Sequence, residues 1–366
     1  MGSSPSRPEF VTFLANRQVS EGQNVVLSCD ASTEDVTKSW EKNGKKLDCV
    51  QGKHVVKNVG KRCILEISKA ETTDEGEYTI TLTNKSGSIS CSASVRVEIN
   101  EWRKVQWRET VMLDSLKTFQ ICNEVQELRF LLHGPVGAGK SSIINTIGSI
   151  FEGRQSVSCS VAAGSTKSHT LYYERFRFAN ENGSFPFAFH DVMGTEAEFG
   201  VLTEDIILAL KGHMKEGYLF NIKTPLSECN RYYNQNPSLS DQMHCLVFVA
   251  PADKISMMNR DLIGKLKHVR DAASRMGIPQ VVFMTRVDYA CPMTKENLRN
   301  IYKSRKIREK IHECSNVLGV PVNCIFPVLN YHEQTHKHKD INCLMLDALT
   351  QIINWANDYV VRRANI

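Results

Sequence analysis

Gly134-Pro135-Val136-Gly137-Ala138-Gly139-Lys140-Ser141, with Ser142 behind it, is the stretch on which the reading of this 366-residue chain turns. It fits G-x-x-x-x-G-K-[ST] and lies between an apolar run, LRFLLH (128–133), and a run at helical spacing, SIINTIGSIF (142–151). Strand, glycine loop and helix in that order make a phosphate cradle, because glycines let the backbone wrap around an anion and the helix start points N–H groups at it. Lys140 adds a mobile positive charge, and the Ser141 hydroxyl can ligate Mg²⁺. A glycine-rich turn that holds no nucleotide is the competing reading.

Further along, FPFAFH (185–190) runs into Asp191-Val192-Met193-Gly194. A carboxylate closing a core strand is where such a loop's Mg²⁺ is held, and the glycine amide can then sense a γ-phosphate. PQVVFMTR (279–286) leads into the third motif, Thr285-Arg286-Val287-Asp288. The Asp288 carboxylate can accept from the ring N–H and exocyclic amine of guanine, a donor pair that adenine lacks. This resembles [NT]-K-x-D, with Arg286 in place of the lysine whose stem covers the base; arginine can stack there too.

Three motifs in this order, each closing an expected strand, resemble GTP-binding P-loop proteins of the translation-factor-like class. The resemblance implies an α/β P-loop NTPase domain that takes GTP or GDP with Mg²⁺. Nucleotide contacts then fall on residues 134–142, Gly194, Thr285, Arg286 and Asp288, and metal contacts on Ser141, Asp191 and a switch threonine. The switch lies in 153–170, with Thr166 as the expected metal-sensing hydroxyl and Thr170 as the reserve. CIFPVLNY (324–331) takes the place of the last base loop, but Asn330 and Tyr331 stand where S-A-K is usual, so Asn330 either contacts the base or caps the strand. No catalytic residue is assigned. Thr195 replaces the glutamine that orients water, so turnover is expected to be slow unless a partner, or a second copy docking through this domain, completes the site. Arg154 and Lys167 are the nearby charges that could assist.

Ahead of this domain, Phe10 to Ile99 runs in short strands (NVVLSC, KSWEKNG, CILEIS, YTITLTN, SASVRVEI) separated by Gly, Asn and Asp turns. Such spacing predicts a two-sheet sandwich. Cys29, Trp40 eleven residues later and Asp74-Glu-Gly-Glu-Tyr78 resemble an immunoglobulin domain of the intermediate set, with Trp40 in the core and Tyr78 at the corner. The family's second core cysteine is here Ile80, so a lone Cys29 is expected to pack without a disulfide. Such sandwiches present faces and edges to other proteins, which implies a binding module; a mere scaffold is the alternative.

The expected layout is a flexible N-terminus (1–8), the sandwich (9–99), an ordered connector (100–126) and the α/β domain (127–366). The connector spends Trp102, Trp107 and a helical apolar pattern, more than a flexible linker needs. Residues 1–100 hold 13 basic and 13 acidic side chains, so the formal charge of +5 belongs to the remainder, with 32 against 27. That surplus permits phosphate ligands and is too small for a dedicated nucleic-acid binder; the basic stretch from Lys303 to Lys310 reads as a solvated helix face. Twelve cysteines without a C-x-x-C pair read as free thiols of a reducing compartment. No run of 18 apolar residues and no signal-peptide core is present, which predicts a cytoplasmic protein. Met1-Gly2-Ser-Ser-Pro-Ser6 fits an N-myristoylation pattern, weighed against a plain flexible start, and membrane association is not expected. His332-Glu333-Gln334-Thr335-His336 matches H-E-x-x-H, but it follows a strand in a polar loop, whereas metalloproteases carry that motif on a helix.

Trp102-Arg-Lys-Val-Gln-Trp107, Gly212-His213, Gly217-Tyr218 and Val328-Leu-Asn330-Tyr331-His-Glu333, together with GPVGAGKSS and TRVD, resemble the interferon-induced protein 44 and 44-like family over residues 101–366. This implies an interferon-inducible, cytoplasmic protein of antiviral and immune responses. Members of that family typically carry a different front domain, so the sandwich leaves partner choice open. Two functions stand side by side: a slow GTPase switch whose sandwich recruits protein partners, and a non-hydrolysing adaptor whose nucleotide site is structural.

Overall fold

Residues 6–156, 159, 170–180, 183–198, 200–332, 334 and 336–365 are described in this computed structural model. They divide into two units, Met1–Trp102 and Arg103–Ile366.

Among the described residues of the first unit there are nine strands: β1 (Phe10–Thr12), β2 (Arg17–Ser20), β3 (Val25–Ala31), β4 (Thr37–Lys42), β5 (Lys45–Lys46), β6 (His54–Val59), β7 (Arg62–Ile67), β8 (Gly76–Asn84) and β9 (Gly87–Glu98). They pair into two sheets, in the orders β1-β3-β7-β6 and β2-β9-β8-β4-β5. Alternation drives the packing. In β3 the side chains of Val25, Leu27 and Cys29 turn inward, and in β8 those of Tyr78, Ile80 and Leu82 do so, all at 1% exposure or less. Trp40 pairs with Ile80 across β4 and β8. The Tyr78 hydroxyl donates to the Asp74 carbonyl at 2.8 Å, tying the strand to the turn before it.

Cys29 is not alone, contrary to the sequence expectation. Cys63 lies directly opposite it on β7, and Cys91 on β9 is close enough to interact with its sulfur. All three are free, and burial pushes all three thiols above the ordinary cysteine range. The pattern CILEIS announced a strand, but only the register of β3 against β7 sets the two sulfurs together.

The second unit is a sheet clothed by helices. Its strands are β10 (Leu128–His133), β11 (Glu174–Asn180), β12 (Gly183–Asp191), β13 (Cys245–Pro251), β14 (Gln280–Thr285) and β15 (Ile325–Pro327). The order is β11-β12-β10-β13-β14-β15, with β11 antiparallel to β12 and every other pair parallel. The helices are α1 (Glu109–Lys117), α2 (Lys140–Glu152), α3 (Thr203–Lys211), α4 (Arg260–Arg275), α5 (Val287–Ala290), α6 (Pro292–Glu296), α7 (Arg305–Leu318) and α8 (Lys339–Ala364). Each residue of β13 is buried, as a strand covered on both faces requires. Local caps set helix starts: Asn259 accepts from Leu262 N–H ahead of α4, and Ser304 accepts from Ile307 N–H ahead of α7. Arg103 donates to the carbonyls of Val322 and Ile325 at 2.7 and 2.6 Å, anchoring the start of this unit beside β15. No helix among the described residues is long and apolar enough to cross a membrane.

Because β10, β12, β13, β14 and β15 run parallel, their C-terminal ends share one edge of the sheet. The chain passes from β10 to β12 on one side of it and then to β13 on the other, the reversal at which open α/β sheets take ligands. The segments after β10, β12, β14 and β15 are the four that carry the sequence motifs.

Candidate functional site

The glycine loop runs from β10 into α2. Gly137 and Gly139 adopt φ of 71° and 98°, a left-handed region that a side chain would strain. Gly134 has a different reason: a Cβ there would collide with the Val249 carbonyl oxygen of β13. Four carbonyls of the loop are held by the protein. Lys140 Nζ donates to Gly134 and Pro135 at 3.1 and 3.2 Å, the Thr285 hydroxyl to Ala138 at 2.6 Å, and Asn330 Nδ2 to Gly139 at 3.3 Å. Lys140 is buried, and that burial lowers its pKa from the usual lysine range, against the opposing pull of Asp191.

Asp191 closes β12 at 2% exposure. Its Oδ2 accepts from the Ser141 hydroxyl at 2.8 Å and from the Thr170 hydroxyl at 3.1 Å, and its Oδ1 accepts from Val192 N–H at 3.0 Å. Burial raises its pKa above the usual carboxylate range, and Lys140 and the hydrogen bonds work the other way. Two hydroxyls and a carboxylate on one buried point form a hard-oxygen set of the kind that suits Mg²⁺. Thr166 and Lys167 lie outside the described residues; Thr170, the reserve candidate, is brought to Asp191. Arg154 pairs with Glu152 at 3.2 Å.

Gly194 and Thr195 close over the glycine loop. Thr195 N–H donates to Gly134 O at 3.0 Å, and a Cβ on Gly194 would come within 2.8 Å of Val136 Cα. The Thr195 hydroxyl is buried 3.5 Å from Nδ1 of His133, a ring whose pKa burial and the Lys140 charge push down to about 3. From α4, Lys265 donates to the carbonyls of Glu196 and Ala197, both at 2.9 Å.

On the other side of the loop lies a cavity of about 140 Å³. Gly137, Ala138, Gly139 and Ser142 form its phosphate-loop wall, facing Thr285, Arg286, Asp288, Tyr289, Asn330 and His332. Arg286, itself left-handed at φ 57°, turns its guanidinium onto Asp253 through two hydrogen bonds of 2.8 and 2.7 Å and lies 4.4 Å from the Tyr289 ring centroid. Among the described residues, no donor reaches Oδ1 of Asp288 or Oδ1 of Asn330, although both atoms are shielded from water. Both residues line the cavity, and buried acceptors left without donors are costly.

Of the residues singled out in the sequence, Asp191 and Gly194 lie on one flank of the 134–142 loop, and Thr285, Arg286, Asp288 and Asn330 on the other. Thr170 was held only in reserve, and Asp253, Tyr289 and Lys265 had no signal at all. His332 and His336 sit outside any helix, Glu333 and Thr335 lie outside the described residues, and so does Gly2. Among the described residues no cluster of histidine, cysteine and carboxylate side chains has metal-site geometry.

Comparison with known proteins adds two findings. Residues 8–97 match the immunoglobulin I-set domain. The chain is 30% identical over 254 residues to interferon-induced protein 44 of Mus musculus, covering 68% of this chain and 60% of that protein. It is 32% identical over 243 residues to interferon-induced protein 44-like of Homo sapiens, covering 64% and 53%. Among solved structures, the titin M3 domain is 34% identical, with a TM-score of 0.24, over 25% of this chain and 95% of that one. The protein thus joins an immunoglobulin I-set domain to an α/β unit. Over most of its length it is a homologue of the interferon-induced 44 and 44-like proteins, and it spans about 53–60% of the length of these two relatives.

Proposed function

We propose that the second unit is a P-loop GTPase-like domain that binds GTP and GDP with Mg²⁺. One observation carries this reading: a single cavity joins the glycine loop to the Thr285–Asp288 turn, and beside it lies a carboxylate oxygen with no donor. Guanine presents two adjacent donors for such an acceptor, and adenine presents an acceptor at that edge. Ser141, Thr170 and Asp191 would hold the Mg²⁺, whose charge would offset that of the β- and γ-phosphates, while Lys140 and the loop amides bind those phosphates. Gly194 and Thr195 respond to the γ-phosphate because Thr195 is hydrogen-bonded to the same loop and Gly194 lies against Val136.

Turnover is slow in this reading. Thr195 spends its hydroxyl near His133 and its N–H on Gly134, so it places no water. In this reading a protein partner or a second copy of the domain completes the catalytic site; the same observation favours the second reading, an adaptor that does not hydrolyse and whose nucleotide site is degenerate or structural. The I-set domain supplies a surface for protein partners. The kinship with interferon-induced 44 proteins supports a cytoplasmic role in interferon-driven antiviral and immune responses.

Equilibrium binding of GTP, GDP and ATP with Mg²⁺ to the full chain tests the proposal, with Lys140→Ala and Asp288→Ala beside it. Guanine-selective binding that both variants lose supports it; a chain that binds none of the three nucleotides overturns it.

A further inference from the structure

We infer that Asp253 is a positioning residue for the base end of the cavity: its two-point grip on Arg286 keeps that guanidinium off Asp288 and so leaves the Asp288 carboxylate open as the base acceptor. The inference rests on the guanine-nucleotide reading.

Arginine in this turn creates a problem that lysine poses less sharply. A guanidinium presents five donors in a planar fork that matches a carboxylate, and Asp288 is only two residues away. Left to itself, Arg286 would satisfy Asp288 internally, and the oxygen that chooses the base would be occupied. The structure shows a different pairing. Nε and Nη2 of Arg286 meet Oδ1 and Oδ2 of Asp253 at 2.8 and 2.7 Å, the parallel arrangement that is strongest for this pair. Asp253 follows β13 and Arg286 follows β14, neighbouring parallel strands in which Pro251 is level with Thr285. The sheet register itself therefore brings the two together.

Two further contacts fix the arrangement. The guanidinium lies 4.4 Å from the Tyr289 ring centroid, so it is held over a ring as well as by a carboxylate. Arg286 and Tyr289 line the same cavity as Asp288. Asp288 Oδ1 meanwhile has no donor among the described residues, the outcome expected when the nearby cation is engaged elsewhere. A surface ion pair alone would have little effect; here the consequence is which carboxylate the arginine leaves free.

The test measures GDP and ADP affinity, with Mg²⁺, for the full chain and for Asp253→Asn, Arg286→Ala and the double variant. The expected result is a loss of about tenfold in GDP affinity in Asp253→Asn. The double variant should bind GDP as Arg286→Ala does, because without the arginine nothing can cover Asp288. Asp253→Asn binding GDP like the unaltered chain overturns the inference. So does an equal loss with and without the arginine, which is also what a plain folding defect at Asp253 would give. If the unaltered chain binds no guanine nucleotide, the underlying reading fails and takes this one with it; if it binds GDP and the variants behave otherwise than expected, only this one fails.

Discussion

The Ser141 hydroxyl donates to Oδ2 of Asp191 at 2.8 Å, joining the first turn of α2 to the end of β12 across fifty residues of chain. The bond makes one buried carboxylate the shared point of the glycine loop and the segment of Thr170. Ser141→Ala removes a donor from that carboxylate and is expected to destabilise the chain by about 1–3 kcal/mol, read from urea unfolding. In the same variant Mg²⁺ should no longer strengthen GTP binding, so affinities measured with Mg²⁺ and with EDTA should converge. A variant that keeps the full Mg²⁺ effect would remove Ser141 from the metal set.

Two glycine substitutions should move stability in opposite directions. Gly134→Ala drives a methyl group into the Val249 carbonyl, and it should lower the melting temperature and abolish nucleotide binding. Gly264, exposed within α4 and with open space around it, gains helix propensity on the same change, worth up to about 1 kcal/mol. Thermal melts of the two variants against the unaltered chain check both signs.

Burial pushes the Asp205 carboxyl up to about 6 from its ordinary 3.8, although Leu226 N–H donates to it. A folded pKa above the unfolded one means that the folded chain holds the proton more tightly. This group's contribution to stability is therefore complete below pH 3.8 and lost as pH rises through 6. Asp205→Asn, which keeps an acceptor for Leu226, should remove that slope. Melting temperatures of the two proteins between pH 4 and 7 should converge toward the acid end and separate toward neutrality, with the variant the more stable.

His244 should give the opposite slope. Its Nδ1 accepts from Arg129 N–H and its Nε2 faces the Leu239 carbonyl, both at 3.0 Å, which fixes a neutral ring. Burial lowers its pKa from 6.5 to about 4. The unfolded chain takes up the proton first, so stability falls as pH drops from 6.5 toward 4. His244→Gln should flatten that part of the profile, and a pH series of urea midpoints would reveal whether it does.

In the sandwich, Tyr78→Phe leaves the shape of the core and removes the 2.8 Å bond to the Asp74 carbonyl. A loss of about 1–2 kcal/mol is expected. Urea unfolding of the full chain, followed through the buried Trp40, measures it.

The strand LRFLLH and the helix after Gly139 were legible because apolar periodicity and a glycine loop announce them together, and β10 and α2 fall where those signals stand. The edge strand β11 was not read from the sequence, although Phe176 and Phe178 alternate there with charged residues as a half-buried strand requires. The register that faces Cys63 to Cys29 is a relation between strands, which spacing along the chain does not encode. Thr166 was preferred to Thr170 within one polar stretch; Thr166 lies outside the described residues, and the hydrogen bond to Asp191 is what brings Thr170 forward. Asp253 was illegible for a similar reason: it reaches Arg286 across thirty-three residues, through the pairing of two strands whose partner choice is a property of the whole sheet.

The captured carbonyls of the glycine loop give it a sense of sign. A peptide unit is planar and trans, so a carbonyl turned toward one side turns the next N–H toward the other. With the oxygens of Pro135, Ala138 and Gly139 held by Lys140, Thr285 and Asn330, the N–H groups of Val136, Gly139 and Lys140 face away from those donors. On that side of the loop an anion would meet these hydrogens rather than the oxygens of the same three peptide units. Two of these carbonyls are held by the backbone as well, Pro135 by Ala138 N–H at 3.3 Å and Gly139 by Ile143 N–H at 2.9 Å, whereas the Ala138 carbonyl is held by the Thr285 hydroxyl, so loss of that hydroxyl is the change that most frees a peptide unit to turn over.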